Sequence, residues 1–406
     1  SLSEIVAKLL AIRKNNIDDI NLFLNPKIKN LLPNPFILKD MKKAVDRTFK
    51  NLKRNESIGI FGDYDVDGAS STAILSRYFL SIKQKIHTYI PDRRNEGYGP
   101  SEKGFKNLFL IGVGGTYSHF LPLQFISGQL SELPVHAVQA AEFVLQGNKQ
   151  FSEDSLCVFC SRSGDTQEIV NAIQYCNNAG ATTLAFVCHA DTPVCTESTH
   201  HFVSFAEDDH LAECFYLQLY AFLFRVLMQR GDFPGYETFV EQIRQIAPYL
   251  VKAKEQTEAM AVSLAAKHKN TDYHMVVGSG AVWGEAYDYA MCILEEMQWL
   301  KTKSIHAGEY FHGTLELTEE DTSMLLLYGE DATRPLMDRV YDFASKITTQ
   351  IAIFDTKRVE LPIDEDFRPF LSPMVIYTML ERFSCHLEKE RKHPLTQRRY
   401  YRKERY

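Results

Sequence analysis

The sequence predicts an α/β protein: parallel sheets with helices on both faces, built twice over, behind a shorter αβ segment of different make-up. Three observations predict it. From residue 108 onward, short apolar runs alternate with stretches of helical length, the pattern of a parallel sheet. Several of those runs end directly in glycine- or serine-rich loops, where open α/β sheets bind ligands. The composition also changes near residue 104. Residues 1–104 hold 18 Lys+Arg and 12 Asp+Glu, a net of +6, whereas the rest holds 27 and 40, a net of −13. All eight cysteines and both tryptophans lie beyond that point, which divides the chain into modules of different origin.

At 406 residues the chain is long enough for two or three domains with full cores. The expected division is 1–104, 105–250 and 251–406. No run of 18 apolar residues occurs. The best candidate, residues 214–228, contains Gln218 and Arg225 and reads as a buried helix rather than a membrane span. With no signal-peptide pattern at the front, a cytoplasmic protein is expected. The cysteines lack the spacing of a disulfide framework, so reduced thiols are expected. Cys157 and Cys160 form a CxxC inside an apolar run; three apart on a strand, they face opposite ways and do not form a redox or zinc pair.

In the first module, turn signals at residues 24–26 and 33–35 precede a helix over 41–52. Residues 57–61 read as a buried strand, 69–81 as a helix and 85–90 as a second strand. Between the first strand and the helix stand Asp63, Asp65 and Asp67. Aspartates at alternate positions after a strand either gather a hard divalent cation or form a plain solvated turn.

The second module begins with a strand over 108–113 that runs into Gly114, Gly115 and a helix. A short strand and helix follow Pro134. The strand over 156–160 opens into Ser161-Arg162-Ser163-Gly164-Asp165-Thr166 and another helix, and the strand over 182–188 leads to His189. Hydroxyls of Ser161, Ser163 and Thr166, with backbone N–H groups at a helix start, make an anion site suited to a sugar phosphate without a metal. In the plainer case the loop is an N-cap with extra serines. After a polar helix over 252–269, strands over 273–277, 322–328 and 350–354 repeat the pattern.

Residues 294–314, LEEMQWLKTKSIHAGEYFHGT, are the organising stretch. Ala286, Ala290, Ile293, Met297 and Leu300 recur at helical spacing, with Glu296 on or beside that face and Glu295 turned to water. A carboxylate against an apolar face suits a general base. Gly308 and Gly313 then bracket Glu309 and His312, which brings an imidazole beside glycine turns. The plainer alternative is a capped core helix followed by a surface loop.

These motifs carry two resemblances. Gly62-Asp63-Tyr64-Asp65-Val66-Asp67-Gly68, with Pro91-Asp92-Arg93-Arg94-Asn95-Glu96-Gly97-Tyr98-Gly99, resembles the opening of a RecJ-type single-stranded DNA exonuclease of the DHH phosphoesterase family, over residues 20–104. That resemblance implies metal binding by Asp65 and Asp67, with Asp63 a further candidate. The family's Asp-His-His triplet is absent, and Asp208-Asp209-His210 is not it. With about half the ligands, a two-metal site and phosphodiester chemistry are not expected. The front therefore resembles a fragment, natural or artificially joined near Gly104.

Residues 105–406 resemble the sugar isomerase (SIS) domain family, doubled, and within it the fructosamine deglycase branch. The carriers are the 161–168 loop, the strand-glycine loops, Glu296-Met297-Gln298-Trp299, residues 305–313 and the tail from His393 to Tyr400. The resemblance implies Glu296 as general base and His312 as general acid. It implies Ser161, Ser163 and Thr166 as the phosphate loop, and Gly115 and Ser118 beside the sugar. Thr314 departs from the family's usual proline, and the helix that normally precedes the first SIS strand is replaced by the front fragment. A sugar-phosphate ligand and a homodimer are implied; membrane and nucleic acid are not expected as partners. No metal or organic cofactor is called for. The implied reaction turns a 6-phosphofructosyl-amino acid into glucose 6-phosphate and a free amino acid. The rival functions are an aldose–ketose isomerase on the same fold, a sugar-phosphate sensor without chemistry, and a nuclease at the front. The basic, tyrosine-rich tail either closes over an anionic substrate or is a solvated terminus.

Overall fold

The structure is a computed structural model that describes residues 3–12, 20, 24, 27, 33–54, 56–63, 65–90, 105–206 and 211–404. The chain forms two compact units, Ser1–Ser101 and Glu102–Tyr406.

The first unit contains helices Glu4–Ile12 and Met41–Arg54 and a two-stranded parallel sheet of β1 (Ile58–Phe61) and β2 (Ile86–Tyr89), joined by the helix Val66–Ser81. The Pro33-Asn34-Pro35 turn signal becomes a short 3₁₀ turn whose cap, Asn34, accepts the Phe36 N–H at 3.0 Å. Two strands cover little. Among the described apolar residues of this unit only Leu10, Ile60 and Phe79 are buried, while Phe36, Ile37, Val66, Ile74, Tyr78 and Leu80 are exposed. The Pro91–Gly99 motif and the Asp208–His210 stretch lie outside the described residues.

The second unit contains two all-parallel sheets. The first has five strands in the order β4-β3-β5-β6-β7: β3 (Asn107–Gly112), β4 (Val135–Gln139), β5 (Ser155–Ser161), β6 (Thr182–Val187) and β7 (His200–Val203). The second has four, in the order β11-β10-β8-β9: β8 (Tyr273–Gly278), β9 (Lys301–His306), β10 (Ser323–Tyr328) and β11 (Ile351–Asp355). The apolar runs produce the central strands because both faces are covered. Leu108 and Leu110 of β3 join a core that also holds Val276 of β8 and Leu325 of β10, whereas Phe109 and Ile111 face a separate core under the helix Gln167–Asn178. Cys157 and Cys160 divide between those two cores, and all eight cysteines are free thiols.

The helix Leu211–Gln229 is long and apolar enough to cross a membrane by composition. Nine of its residues, including Tyr216, Tyr220 and Phe224, are nevertheless buried in the fold, as a core helix requires. The polar helix, Ala247–His268, spans residue 250 and packs along the C-terminal helix Arg368–Arg391. Lys254 meets Glu381 at 3.0 Å there, and Arg382 and His386 hold Glu258, whose carboxyl is drawn down to about 2 by those hydrogen bonds.

The stretch around Glu296 corrects the expected continuous helix. It is a short α-helix, Trp283–Asp288, a π-helical segment, Tyr289–Glu295, and one last turn, Glu296–Gln298. The wider π turns re-aim the residues that follow them, a device common at functional sites. Trp299, at φ +55°, ends the helix in the left-handed region and turns the chain into β9.

Candidate active site

Within the second unit, a cleft of about 940 Å³ opens where β3, β5 and β6 end. Gly115, Ser161, Ser163, Thr166 and Glu296 all line it, residues that lie up to 181 positions apart in the chain. The crossing of the helix Gly114–Leu130 with Trp283–Asp288 brings these walls together. Gly284 permits it, since a Cβ there would come within 2.4 Å of the Ser118 carbonyl.

The 161–166 loop has the form of an anion cradle. The buried Ser161 hydroxyl accepts the Gly164 N–H at 2.9 Å, which closes a tight turn. Gly164 sits at φ +69° against Thr192, where a Cβ would have no room. Its carbonyl accepts the Val194 N–H at 2.9 Å, so the 189–194 loop braces the cradle. Thr166 is the N-cap residue of the helix Gln167–Asn178 and lines the cleft, and its side chain makes no cap hydrogen bond.

Glu296 is half-buried, with Glu295 outward and bonded to Thr302. The Glu296 carboxylate accepts the Nε–H of Arg398 at 2.8 Å. Farther along the same tail, Arg402 donates to Ser163 Oγ at 3.0 Å and to Asp165 Oδ1 at 2.5 Å. The Ser163 hydroxyl first, and Arg402 with it, holds the Asp165 carboxyl below its ordinary value. The tail is anchored by the residues next to Glu296: Gln298 donates to the His393 carbonyl at 2.8 Å, His393 packs edge-on against Trp299, and the Arg399 guanidinium lies 4.0 Å from the Trp299 ring centre. Two motifs that resembled one family in sequence are thus partners in space. Basic and aromatic residues near the C-terminus were the available signal, but nothing in their order pointed to Glu296 and Ser163 as the acceptors.

Ser118 and His312 are not among the cleft walls. Ser118 is fully buried, its hydroxyl shared between the Gly115 carbonyl at 2.6 Å and Asp288 Oδ1 at 3.2 Å. His312 is exposed and ends the 3₁₀ turn Tyr310–His312 beyond β9. The turn is anchored by buried Tyr310, and Glu309 beside it is also exposed. The departure at Thr314 has a structural use, since its hydroxyl accepts from Lys303 Nζ at 3.0 Å. In the first unit, Asp65 caps the helix Val66–Ser81 by accepting the Gly68 N–H at 2.7 Å, and Asp67 lies in the first turn. Among the described residues no group of three or more His, Cys, Asp or Glu could hold a metal ion.

Parallel sheets, an anion cradle at strand ends and a helix-borne acid across from it define a sugar isomerase domain protein. Residues 104–228 match the SIS domain family. Fructosamine deglycase FrlB of Bacillus subtilis (strain 168) is 30% identical over 329 residues, covering 80% of this chain and 98% of that protein. The fructoselysine 6-phosphate deglycase of Escherichia coli (strain K12) is 23% identical over 308 residues, 74% of this chain and 86% of that one. A solved structure from Bacillus subtilis, provisionally described as a phosphosugar isomerase, is similar with a TM-score of 0.71 at 30% identity, over 75% of this chain and 94% of that one. The chain belongs to the fructosamine deglycase family of SIS-domain proteins. Its front resembles the exonuclease RecJ of Bacillus subtilis (strain 168), 37% identical over 108 residues; these are 26% of this chain but 14% of RecJ, a small part of that enzyme.

Proposed function

We propose that the protein hydrolyses a 6-phosphofructosyl-amino acid to glucose 6-phosphate and a free amino acid. One observation carries this: Glu296 stands in the same cleft as Ser161, Ser163 and Thr166. The deglycase names of the relatives support the choice of reaction. The phosphate docks on the three hydroxyls and the helix start, and fixes the distance to the reacting carbons. Glu296 takes a proton from C1, which carries the amine, and the C2 carbonyl becomes the hydroxyl of an enaminol. Returning a proton to C2 leaves an imine at C1. Water adds to C1, the C1–N bond breaks, and the amine leaves with a proton. Arg398 must release the Glu296 carboxylate, or share it, for the base to reach C1; the incoming phosphate draws the tail through Arg402.

His312 supplies the protons at oxygen and nitrogen. Its exposed position outside the cleft is consistent with a homodimer in which each copy lends His312 to the cleft of the other. The full chain, incubated with a panel of 6-phosphofructosyl amino acids in EDTA, is expected to release glucose 6-phosphate and one free amino acid by mass spectrometry, and Glu296→Gln to release neither. No release from any conjugate by a folded protein would sink the proposal.

A further inference from the structure

The floor of the cleft holds an imidazole with no part in the steps above. His119 projects from the helix Gly114–Leu130 into the cleft lining and is 7% exposed. Neither ring nitrogen makes a hydrogen bond of normal geometry, although the Gly115 carbonyl lies near enough to favour the protonated ring. Burial outweighs both the Asp288 charge, the larger of the two opposing influences, and that carbonyl, and it holds the imidazole below its ordinary value; the neutral ring has one nitrogen that donates and one that accepts. The ring is held edge-on against Tyr216, with centres 4.7 Å apart. Leaving such a group unpaired is unfavourable, and a bound ligand is one of the things that can complete it.

Asp288 lines the same cleft and is 4% exposed. Its Oδ1 accepts from Ser118, which fixes the carboxylate against the Gly114–Leu130 helix. Behind it, Glu285 is fully buried and accepts from the Tyr216 hydroxyl, and burial followed by the Asp288 charge pushes the Glu285 carboxyl well up. Two buried polar side chains thus line the same cleft as the 161–166 loop and Glu296.

We propose that His119 and Asp288 form the subsite that binds the hydroxyls of the open-chain sugar. This rests on the sugar-phosphate reading of the cleft. With the phosphate in the 161–166 loop and C1 beside Glu296, the hydroxyls of C3, C4 and C5 pass over the floor. Each hydroxyl both donates and accepts, and so matches a neutral imidazole and a carboxylate together.

The test is calorimetric titration of the full chain with sorbitol 6-phosphate, which carries the hydroxyls, and with hexyl phosphate, which has the length without them. His119→Phe and Asp288→Asn are each expected to weaken sorbitol 6-phosphate roughly tenfold, the share of one hydrogen bond, and to leave hexyl phosphate within about twofold. His119→Phe is also expected to raise the Tm, because it removes an unpaired buried group. Equal weakening of both ligands with a lowered Tm would assign the cluster to the fold alone and overturn the proposal, as would unchanged binding of sorbitol 6-phosphate. Should His119→Phe not fold, Asp288→Asn decides by the same two ligands. Turnover is a separate readout. Discrimination between the ligands without hydrolysis of any ketoamine would keep the subsite and reject the deglycase, and hydrolysis without discrimination would do the reverse.

Discussion

The helices Val66–Ser81 and Gly114–Leu130 each follow a parallel strand through a glycine-bearing turn, yet they end in opposite states. The first leaves Val66, Ile74, Tyr78 and Leu80 in water and buries little beyond Thr72 and Phe79. The second buries Phe120, Leu123 and Ile126, together with the polar Ser118 and His119. Their local signals are alike; their surroundings are not. Among the described residues the first helix rests on a two-stranded sheet, whereas five strands and the helix Leu211–Gln229 pack with the other. A functional site follows the same logic. Asp65 remains a helix cap, while Glu296, set in a finished core, faces a cleft.

Glu296→Gln breaks this comparison most severely if it is right. Steady-state turnover should fall by about 10³ or more, the share of a positioned general base, while Asp65→Ala and Asp67→Ala leave it unchanged. An equal loss from the aspartate variants would return function to the front. Denaturant melts sharpen the contrast next, followed by tryptophan fluorescence for the second unit, which holds Trp283 and Trp299, and by hydrogen exchange for the first. Phe159→Ala, at a fully buried position, should cost about 3–5 kcal/mol, while Ile74→Ala in the first unit stays within about 0.5 kcal/mol.

Mixing inactive Glu296→Gln with inactive His312→Gln chains should restore roughly a quarter of the activity if two-fold dimers exchange subunits and share sites. No recovery, with exchange demonstrated by mass, would confine the chemistry to one chain. Arg402→Ala should raise the KM for the phosphorylated substrate about tenfold with a smaller change in kcat, and leave the Kd of a non-phosphorylated fructosamine unaltered. The smallest effect concerns pH. Burial, reinforced by Lys267, lowers His268 to about 4. Burial, reinforced by His268 and Arg391, lowers His274 to about 4. The unfolded chain takes up these protons first, so the contribution of both groups is complete above the ordinary histidine value of about 6.5 and falls as pH drops toward 4. Melts from pH 7 to 4.5 should show a falling Tm, with a shallower fall in His274→Gln.

Legibility followed burial. The interior strands β3, β5, β6, β8 and β10, and the edge strand β11 with its apolar run IAIF, were readable because apolar runs mark strands that pack into the core. The edge strands β7, HHFV, and β9, KTKSIH, were not: their exposed positions carry histidines and lysines, which no apolar run announces. The serines of the cradle and Glu296 stood out by spacing and residue type. His119, a single histidine inside a helix, and Asp288, one acid among several, carried no such mark.

By itself the sequence determined the αβ alternation, the change of module near residue 104 and the residue types of the cradle and the acid. All of these are written in local order and composition. The tertiary structure decided which of them meet. Hydrogen-bond register, not residue periodicity, turned the expected helix into a π segment that aims Glu296 into the cleft. Chain return over a hundred residues set Arg398 on Glu296, and the close crossing of two helices set His119 and Asp288 into one floor. Such meetings depend on how whole layers pack, and packing is a property of the assembled core rather than of any stretch of chain.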